Sequence, residues 1–255
     1  MSERDPASGV LEETTLLSGR LRLLQPREGH RAGSDAVLLA ALVGQAHGTL
    51  ADVGAGCGAA GLAVALRNDD LQLALVEREP LLAQVATANI ALNALQDRAK
   101  TFECDALSPR ARVAVGLAAN SADIVITNPP YLDAATSRTS PDHLRAGAHS
   151  FEAADGLDRW LRACAGLLRP SGIFAMIHRA DALEKVLAAS AGRFGALEIR
   201  PVHSRAGAPA IRILVRARKG SRAPVQILPG LVIHGADGAF TPQAAAIHAG
   251  ERLID

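Results

Sequence analysis

The sequence predicts an α/β fold: a mostly parallel sheet of seven strands with an antiparallel last strand, helices on both faces, a small N-terminal hairpin and a C-terminal extension. Three observations carry this. Short apolar runs of strand length alternate with helix-length segments from Thr49 to Lys219. A glycine-rich loop, Asp52-Val-Gly-Ala-Gly-Cys-Gly58, joins the first such run to a helical segment. The last two runs, Ala196–His203 and Ala210–Lys219, are joined by too few residues for a parallel crossover, so they pair antiparallel.

Composition bounds the classes. The 255 residues are 49% hydrophobic, enough for a full core, whereas aromatics are 3% and make the single Tyr131 and single Trp160 stand out. Three cysteines, an odd number without a CxxC pair, argue against a disulfide framework or a zinc site and for a reducing compartment. The N-terminus is charged and has no signal-peptide core, and no apolar run approaches the ~18 residues of a membrane span. The expectation is a cytoplasmic, soluble protein without a metal. Net charge is +1, but Arg193–Arg222 carries eight Lys or Arg and one acid, a local +7 that hints at an anionic partner.

In chain order, residues 1–15 are polar and read as loose, and Leu16–Leu24 alternates around Ser18-Gly19 as a hairpin. The apolar run Ala36–Val43 reads as a helix that Ser34 or Asp35 caps. These make an N-terminal extension, 1–48, ahead of a core at 49–219 and a C-terminal extension at 220–255. Thr49–Gly54 is a strand, and the glycines after it let the backbone approach a ligand at the open N–H groups of helix Ala59–Leu66. Leu71–Glu77 is the next strand and ends in an acid 23 residues after Gly54, where a carboxylate can accept both hydroxyls of a ribose. Gly56-Cys-Gly-Ala-Ala-Gly61 also fits the dinucleotide fingerprint. Asp52 ahead of the loop instead suits a cofactor with an ammonium group and no pyrophosphate, S-adenosylmethionine.

Glu79–Asn93 is an amphipathic helix, and Thr101–Asp105 ends a third strand. There Asp105-Ala106 either reads an adenine edge or caps the next turn. The fourth strand, Asp123–Thr127, runs into Asn128-Pro129-Pro130-Tyr131, where two prolines cannot extend a sheet. The chain therefore leaves at the carboxyl edge, where open α/β sheets bind ligands. A planar NH2 is a poor nucleophile because its lone pair is delocalised. The Asn128 side-chain oxygen and the Pro129 carbonyl can each accept one N–H and aim the lone pair at an electrophile, while Tyr131 stacks on the π face. The plain alternative is a Pro-Pro turn with Asn128 capping its own backbone. Residues 132–150 form a long polar loop bearing Arg138 and Arg145, read as a lid or a disordered segment. Helix Asp155–Leu168 stops at Pro170-Ser-Gly172, Ile173–His178 is a strand, Asp181–Ala191 a helix, and Val225–Ile233 a further strand-like piece before a short helix.

Loop, acid, Asp-Ala and N-P-P-Y succeed one another as in class I S-adenosylmethionine-dependent methyltransferases, and N-P-P-Y marks the branch that methylates planar amino groups. Leu24–Ala40 and Leu231–Thr241 resemble the N- and C-terminal signatures of the bacterial tRNA1(Val) adenine-N6 methyltransferase family. The resemblance covers most of residues 16–245 and implies a Rossmann-like sheet, S-adenosylmethionine as cofactor and an RNA substrate, namely tRNA. It implies that Asp35 approaches the methionine part of the cofactor. It further implies that Asp52, Gly54, Ala55, Gly56 and Gly58 hold the amino-acid end, Glu77 the ribose and Asp105-Ala106 the adenine. Asn128, Pro129, Pro130 and Tyr131 would grip the target nitrogen, Asn128 also bordering the cofactor. By position, Arg200, Arg205 and Arg212, with Arg138 and Arg145, are the phosphate contacts. The main rival is a glutamine-N5 methyltransferase acting on a protein, which uses the same tetrapeptide but normally carries a helical N-terminal domain. A non-enzymatic RNA-binding module leaves Glu77 and N-P-P-Y unexplained.

Overall fold

The computed structural model describes residues 11–27, 31–130 and 156–254. Tyr131, Arg138, Arg145 and the expected lid at 132–150 lie outside the described residues.

The hairpin pairs β1 (Leu11–Leu16) with β2 (Leu21–Pro26), and residues 17–19 turn at positive φ. The strand starts at Leu11, so the expectation of a loose segment through residue 15 is corrected. Leu-Glu-Glu-Thr-Thr-Leu has no apolar period to betray it; its pairing rests on β2. Leu21 and Leu23 of β2 are fully buried, Arg22 pairs with Glu13 at 2.8 Å, and Gln25 Nε2 donates to Thr14 Oγ1 at 2.7 Å.

The main sheet holds β3 (Gly48–Val53), β4 (Leu71–Glu77), β5 (Ala99–Glu103), β6 (Ala122–Thr127), β7 (Leu168–Arg179), β8 (Phe194–Arg205) and β9 (Ala210–Lys219). Their order is β8-β9-β7-β6-β3-β4-β5, with β9 antiparallel to both neighbours and the others parallel. The strand-like tail splits around Leu228-Pro-Gly230 into β10 (Gln226–Ile227) and β11 (Leu231–His234). Both pair parallel to β8 and extend the sheet to nine strands. The stop expected at Pro170-Ser-Gly172 lies inside β7: register shifts there, and Ser171 has φ of 61°. The turn signal is real, but the chain rejoins the same strand after a bulge.

Alternation along the strands feeds two layers. Leu50, Ile124 and Ile126 pack with α1 (Ser34–Val43), α2 (Ala59–Ala65) and α3 (Pro80–Leu92) on one face. Ala51, Val53 and Val125 pack with α5 (Gly156–Leu167) and α6 (Leu183–Ser190) on the other. α4 (Pro109–Ala114) follows β5, its N-cap Ser108 accepting the Ala111 N–H. The first layer also takes Leu21 and Leu23 from the hairpin and Ile247 from α7 (Pro242–His248), so both extensions share the core.

The hairpin is held by two amides one helical turn apart. Asn89 Oδ1 accepts the Leu24 N–H at 2.7 Å while its Nδ2 donates to the Leu24 carbonyl at 2.8 Å and the Cys57 carbonyl at 2.9 Å. Asn93 repeats the pattern on Arg22, accepting its N–H at 3.0 Å and donating to its carbonyl at 2.7 Å. The i, i+4 spacing puts both on one helix face, where they satisfy the outer edge of β2 as a strand would. Among the described residues, no helix is long and apolar enough to cross a membrane.

Candidate active site

Strand order reverses between β3 and β6, and in open α/β sheets the crevice at such a switch point, outside the carboxyl ends, receives the ligand. A cavity of about 290 Å³ lies here, and its walls bring together Arg31, Asp35, Asp52, Gly54–Gly56 and Asn128.

The loop leaving β3 is shaped by close contacts. Gly54 and Ala55 N–H groups both donate to the Val76 carbonyl, at 2.9 and 3.1 Å. Gly54 has φ of 72°, and a Cβ there would stand 2.8 Å from the Trp160 ring; at Gly58, φ 87°, it would stand 2.7 Å from Leu75. Neither position admits a side chain without displacement. Asp52 is 3% exposed, and its Oδ2 accepts the Gly61 N–H at 2.9 Å. Burial pushes its carboxyl up to about 7; the Gly61 hydrogen bond opposes this and the Glu77 charge adds to it.

Glu77 is buried beneath the loop rather than in the cavity wall. Its Oε2 accepts the Gly56 N–H at 2.8 Å, and its Oε1 accepts those of Arg78 and Glu79 at 2.8 and 2.9 Å. Asp105 is exposed and its Oδ1 accepts the Leu107 N–H at 2.9 Å, the turn-capping alternative of the sequence reading. Buried Ala106 offers its carbonyl to the Arg112 side chain. Neither residue of that pair lines the cavity.

Asn128 follows β6 directly and faces the cavity, with Pro129 buried and Pro130 exposed behind it. The preceding Thr127 is fully buried. Its hydroxyl donates to the Val53 carbonyl at 2.8 Å and accepts the Trp160 Nε1–H at 2.9 Å. These bonds fix the end of β6 against the end of β3, and sequence reasoning assigned neither Thr127 nor Trp160 to the site.

Asp35 is on the first turn of α1, but neither it nor Ser34 caps the helix: the N-cap is Gly33, with no side-chain bond. Ser34 Oγ lies 3.0 Å from His248 Nε2, and Asp35 Oδ2 accepts Arg212 Nε at 3.1 Å. Arg212 sits opposite Arg179 at the end of β7, and Arg205 is exposed at the end of β8, so both occupy the carboxyl edge from which Asn128 leaves β6. Arg200 lies further back on β8, donating to the Pro229 carbonyl at 2.8 Å, and so anchors the tail. Gln25 was missed too: its Oε1 accepts the Ala32 N–H at 3.0 Å and holds the segment that walls the cavity. A signal existed, because Leu21, Leu23 and Gln25 share the inward face of β2.

The methyltransferase small domain family matches residues 31–156. The tRNA1(Val) (adenine(37)-N6)-methyltransferase of Aeromonas hydrophila is 31% identical over 215 residues, 83% of this chain and 85% of that protein. Its namesake in Porphyromonas gingivalis is 28% identical over 223 residues, 84% and 85% of the two chains. A crystal structure described as a predicted O-methyltransferase from Agrobacterium tumefaciens superimposes with a TM-score of 0.73 at 33% identity, over 86% of this chain and 98% of that one. TYW2 of M. jannaschii, solved in complex with AdoMet, shares the fold at a TM-score of 0.54 and 14% identity, over 86% and 88% of the chains.

Proposed function

The chain belongs to the methyltransferase family of these adenine-N6 relatives, and we propose that it transfers a methyl group from S-adenosylmethionine to the exocyclic N6 amine of an adenine in tRNA. The observation that carries this is one cavity in which Asn128, at the end of β6, faces the Asp52–Gly58 loop. The donor set suits the cofactor. A buried acid raised to about 7 by desolvation gains most from a cation beside it, and an ammonium meets that need. At Gly56 nothing stands within 4 Å of where a Cβ would lie, and that open backbone leaves room for the amino-acid end.

When bound, S-adenosylmethionine supplies an activated methyl on a sulfonium, so alignment matters more than acid–base chemistry. Asp52 and Asp35 bind the ammonium, the loop from Gly54 through Ala55 and Gly56 to Gly58 cradles the amino-acid end, and Glu77 turns a lone pair to the ribose. Asp105 and Ala106 border the adenine. Asn128 Oδ1 and the Pro129 carbonyl accept the two N–H groups of the target amine and orient its lone pair. Pro129 and Pro130 keep that turn stiff, and Tyr131 stacks on the base. The extra proton leaves to water. Arg205 and Arg212, with Arg138 and Arg145, meet the phosphates, while Arg200 holds the tail. The reaction belongs in the cytoplasm, with residues 49–219 as catalytic core between extensions at 1–48 and 220–255.

The test is direct. The protein is incubated with S-adenosylmethionine and unmodified tRNA, and the RNA is digested to nucleosides. N6-methyladenosine is expected with the wild type, and far more slowly with Asn128→Ala. Methyl groups on protein glutamine, with none in RNA, would overturn the substrate class.

A further inference from the structure

The amino-acid end of S-adenosylmethionine carries two charges, and the side chains assigned above serve only one of them. Asp52 and Asp35 suit the ammonium, whereas a carboxylate taken out of water needs charged or strongly polarised donors. Among the described residues, the cavity wall holds a single cationic side chain, that of Arg31, on the segment that leads into α1. The hairpin places it. Arg31 Nη2 pairs with Glu12 Oε1 of β1, and Gln25 Oε1 of β2 accepts the N–H of the adjoining Ala32 at 3.0 Å. Pro26, the last residue of β2, is itself part of the wall. Buried Asn89 joins the same hairpin to the glycine loop, accepting the Leu24 N–H at 2.7 Å and donating to the Cys57 carbonyl at 2.9 Å. The guanidinium and the loop that cradles the amino-acid end are therefore tied to one support.

We propose that Arg31 recognises the carboxylate of the cofactor and thereby selects S-adenosylmethionine over its decarboxylated form; the proposal rests on the cofactor reading above. A guanidinium presents five N–H groups in a rigid fork, so an ion pair with Glu12 leaves donors for a second carboxylate. The Arg31 side chain is 46% exposed and is not sealed into that pair. Fork and carboxylate meet through two parallel bonds, which fix direction as well as strength. If Arg31 served only to fasten the hairpin to Glu12, the wall would offer two acids and no cationic side chain to the amino-acid end. Such a wall would hold the decarboxylated amine at least as well as the zwitterion, because nothing would repay the desolvation of the carboxylate.

Calorimetry with S-adenosylhomocysteine and with its decarboxylated analogue, which lacks only the carboxylate, tests this without turnover. The wild type should bind S-adenosylhomocysteine roughly 10–100-fold more tightly than the analogue, the scale of hydrogen bonds to a charged group. Arg31→Ala should lose about that factor for S-adenosylhomocysteine and almost nothing for the analogue, so that discrimination collapses. Arg31→Lys keeps the charge without the fork and should recover part of it. Equal losses for both ligands in Arg31→Ala would make Arg31 a brace of the hairpin and overturn the assignment. Undiminished discrimination, with a raised KM for tRNA, would make it a phosphate contact and overturn the assignment too. A wild type that binds neither ligand would overturn the cofactor reading along with it.

Discussion

Trp160 Nε1 donates to Thr127 Oγ1 at 2.9 Å, and the same hydroxyl donates to the Val53 carbonyl at 2.8 Å. The bonds tie helix α5, strand β6 and strand β3 at the point where Gly54 and Asn128 leave the sheet. Thr127→Val keeps the shape but strands a buried N–H and a buried carbonyl. It should cost about 1–3 kcal/mol in urea unfolding and lower kcat, whereas Thr127→Ser should keep both bonds and most of the activity. A stable, fully active Thr127→Val would show that the bonds do not position Asn128.

Asn128→Ala should cut kcat by roughly 10²–10³-fold, the scale of losing one preorganised transition-state partner. Cofactor Kd should stay within about twofold, because backbone bonds to Val76 and the Glu77 carboxylate hold the Gly54–Gly58 loop. Single-turnover kinetics separates the two. Wild-type turnover would reduce the Asn-Pro-Pro sequence to a turn.

Asp52 should make cofactor binding pH-dependent. Its folded carboxyl titrates near 7 against an ordinary 3.8, so between about pH 4 and 7 the folded protein holds a proton that the unfolded chain has released. This group's contribution to stability therefore falls as pH rises across that window and is level above it. An ammonium beside Asp52 favours the charged form, so binding S-adenosylmethionine at pH 6 should release up to one proton. Calorimetry in buffers of different ionisation enthalpy measures that release. It should vanish in Asp52→Asn, which should also flatten the pH dependence of stability.

The legible parts of the sequence were those set by short-range chemistry. Glycines that must run at positive φ, an acid ending a strand and a Pro-Pro stop each declare their place within a few residues. The antiparallel β9 was readable from the shortness of its connection to β8. What stayed hidden depends on partners far along the chain. Asn89 looks like any polar residue on an amphipathic helix until β2, 65 residues away, lies along it. Trp160 stands out by rarity, but its partner Thr127 is 33 residues distant. The expected caps at Ser34 and Asp35 failed for the same reason, since His248 and Arg212 take up their side chains.

Glu77→Ala should weaken S-adenosylmethionine binding by roughly 1.5–3 kcal/mol, and NAD should bind neither protein. Because the carboxylate also holds the Gly56, Arg78 and Glu79 N–H groups, that loss mixes loop order with ribose recognition. A 2′-deoxyribose analogue of S-adenosylhomocysteine separates them in a double-mutant cycle. Removing the hydroxyl should cost the wild type and not Glu77→Ala. Equal costs would leave Glu77 as a loop anchor only.

The basic segment divides by topology, because β9 runs antiparallel to the strands beside it. Arg212 enters β9 opposite Arg179, and Arg205 ends β8, both at the edge that presents Asn128. Arg218 lies opposite Ile173 and Gly195 at the other end, and Arg222 comes after it there. Each phosphate neutralised changes the slope of log K against log[salt] by about 0.7–0.9. Arg205→Ala with Arg212→Ala should thus flatten that slope by up to about 1.4–1.8 for tRNA, while Arg218→Ala with Arg222→Ala should barely alter it. The ion pair with Asp35 adds a second expectation for Arg212. An ammonium that takes over Asp35 leaves Arg212 to a phosphate, so S-adenosylhomocysteine should tighten tRNA binding in the wild type and not in Arg212→Ala. Filter binding with and without S-adenosylhomocysteine, across a salt series, reads both effects. Equal slopes from the two double variants would refute the division of the basic segment, and equal tightening in Arg212→Ala would refute the exchange of partners at Asp35.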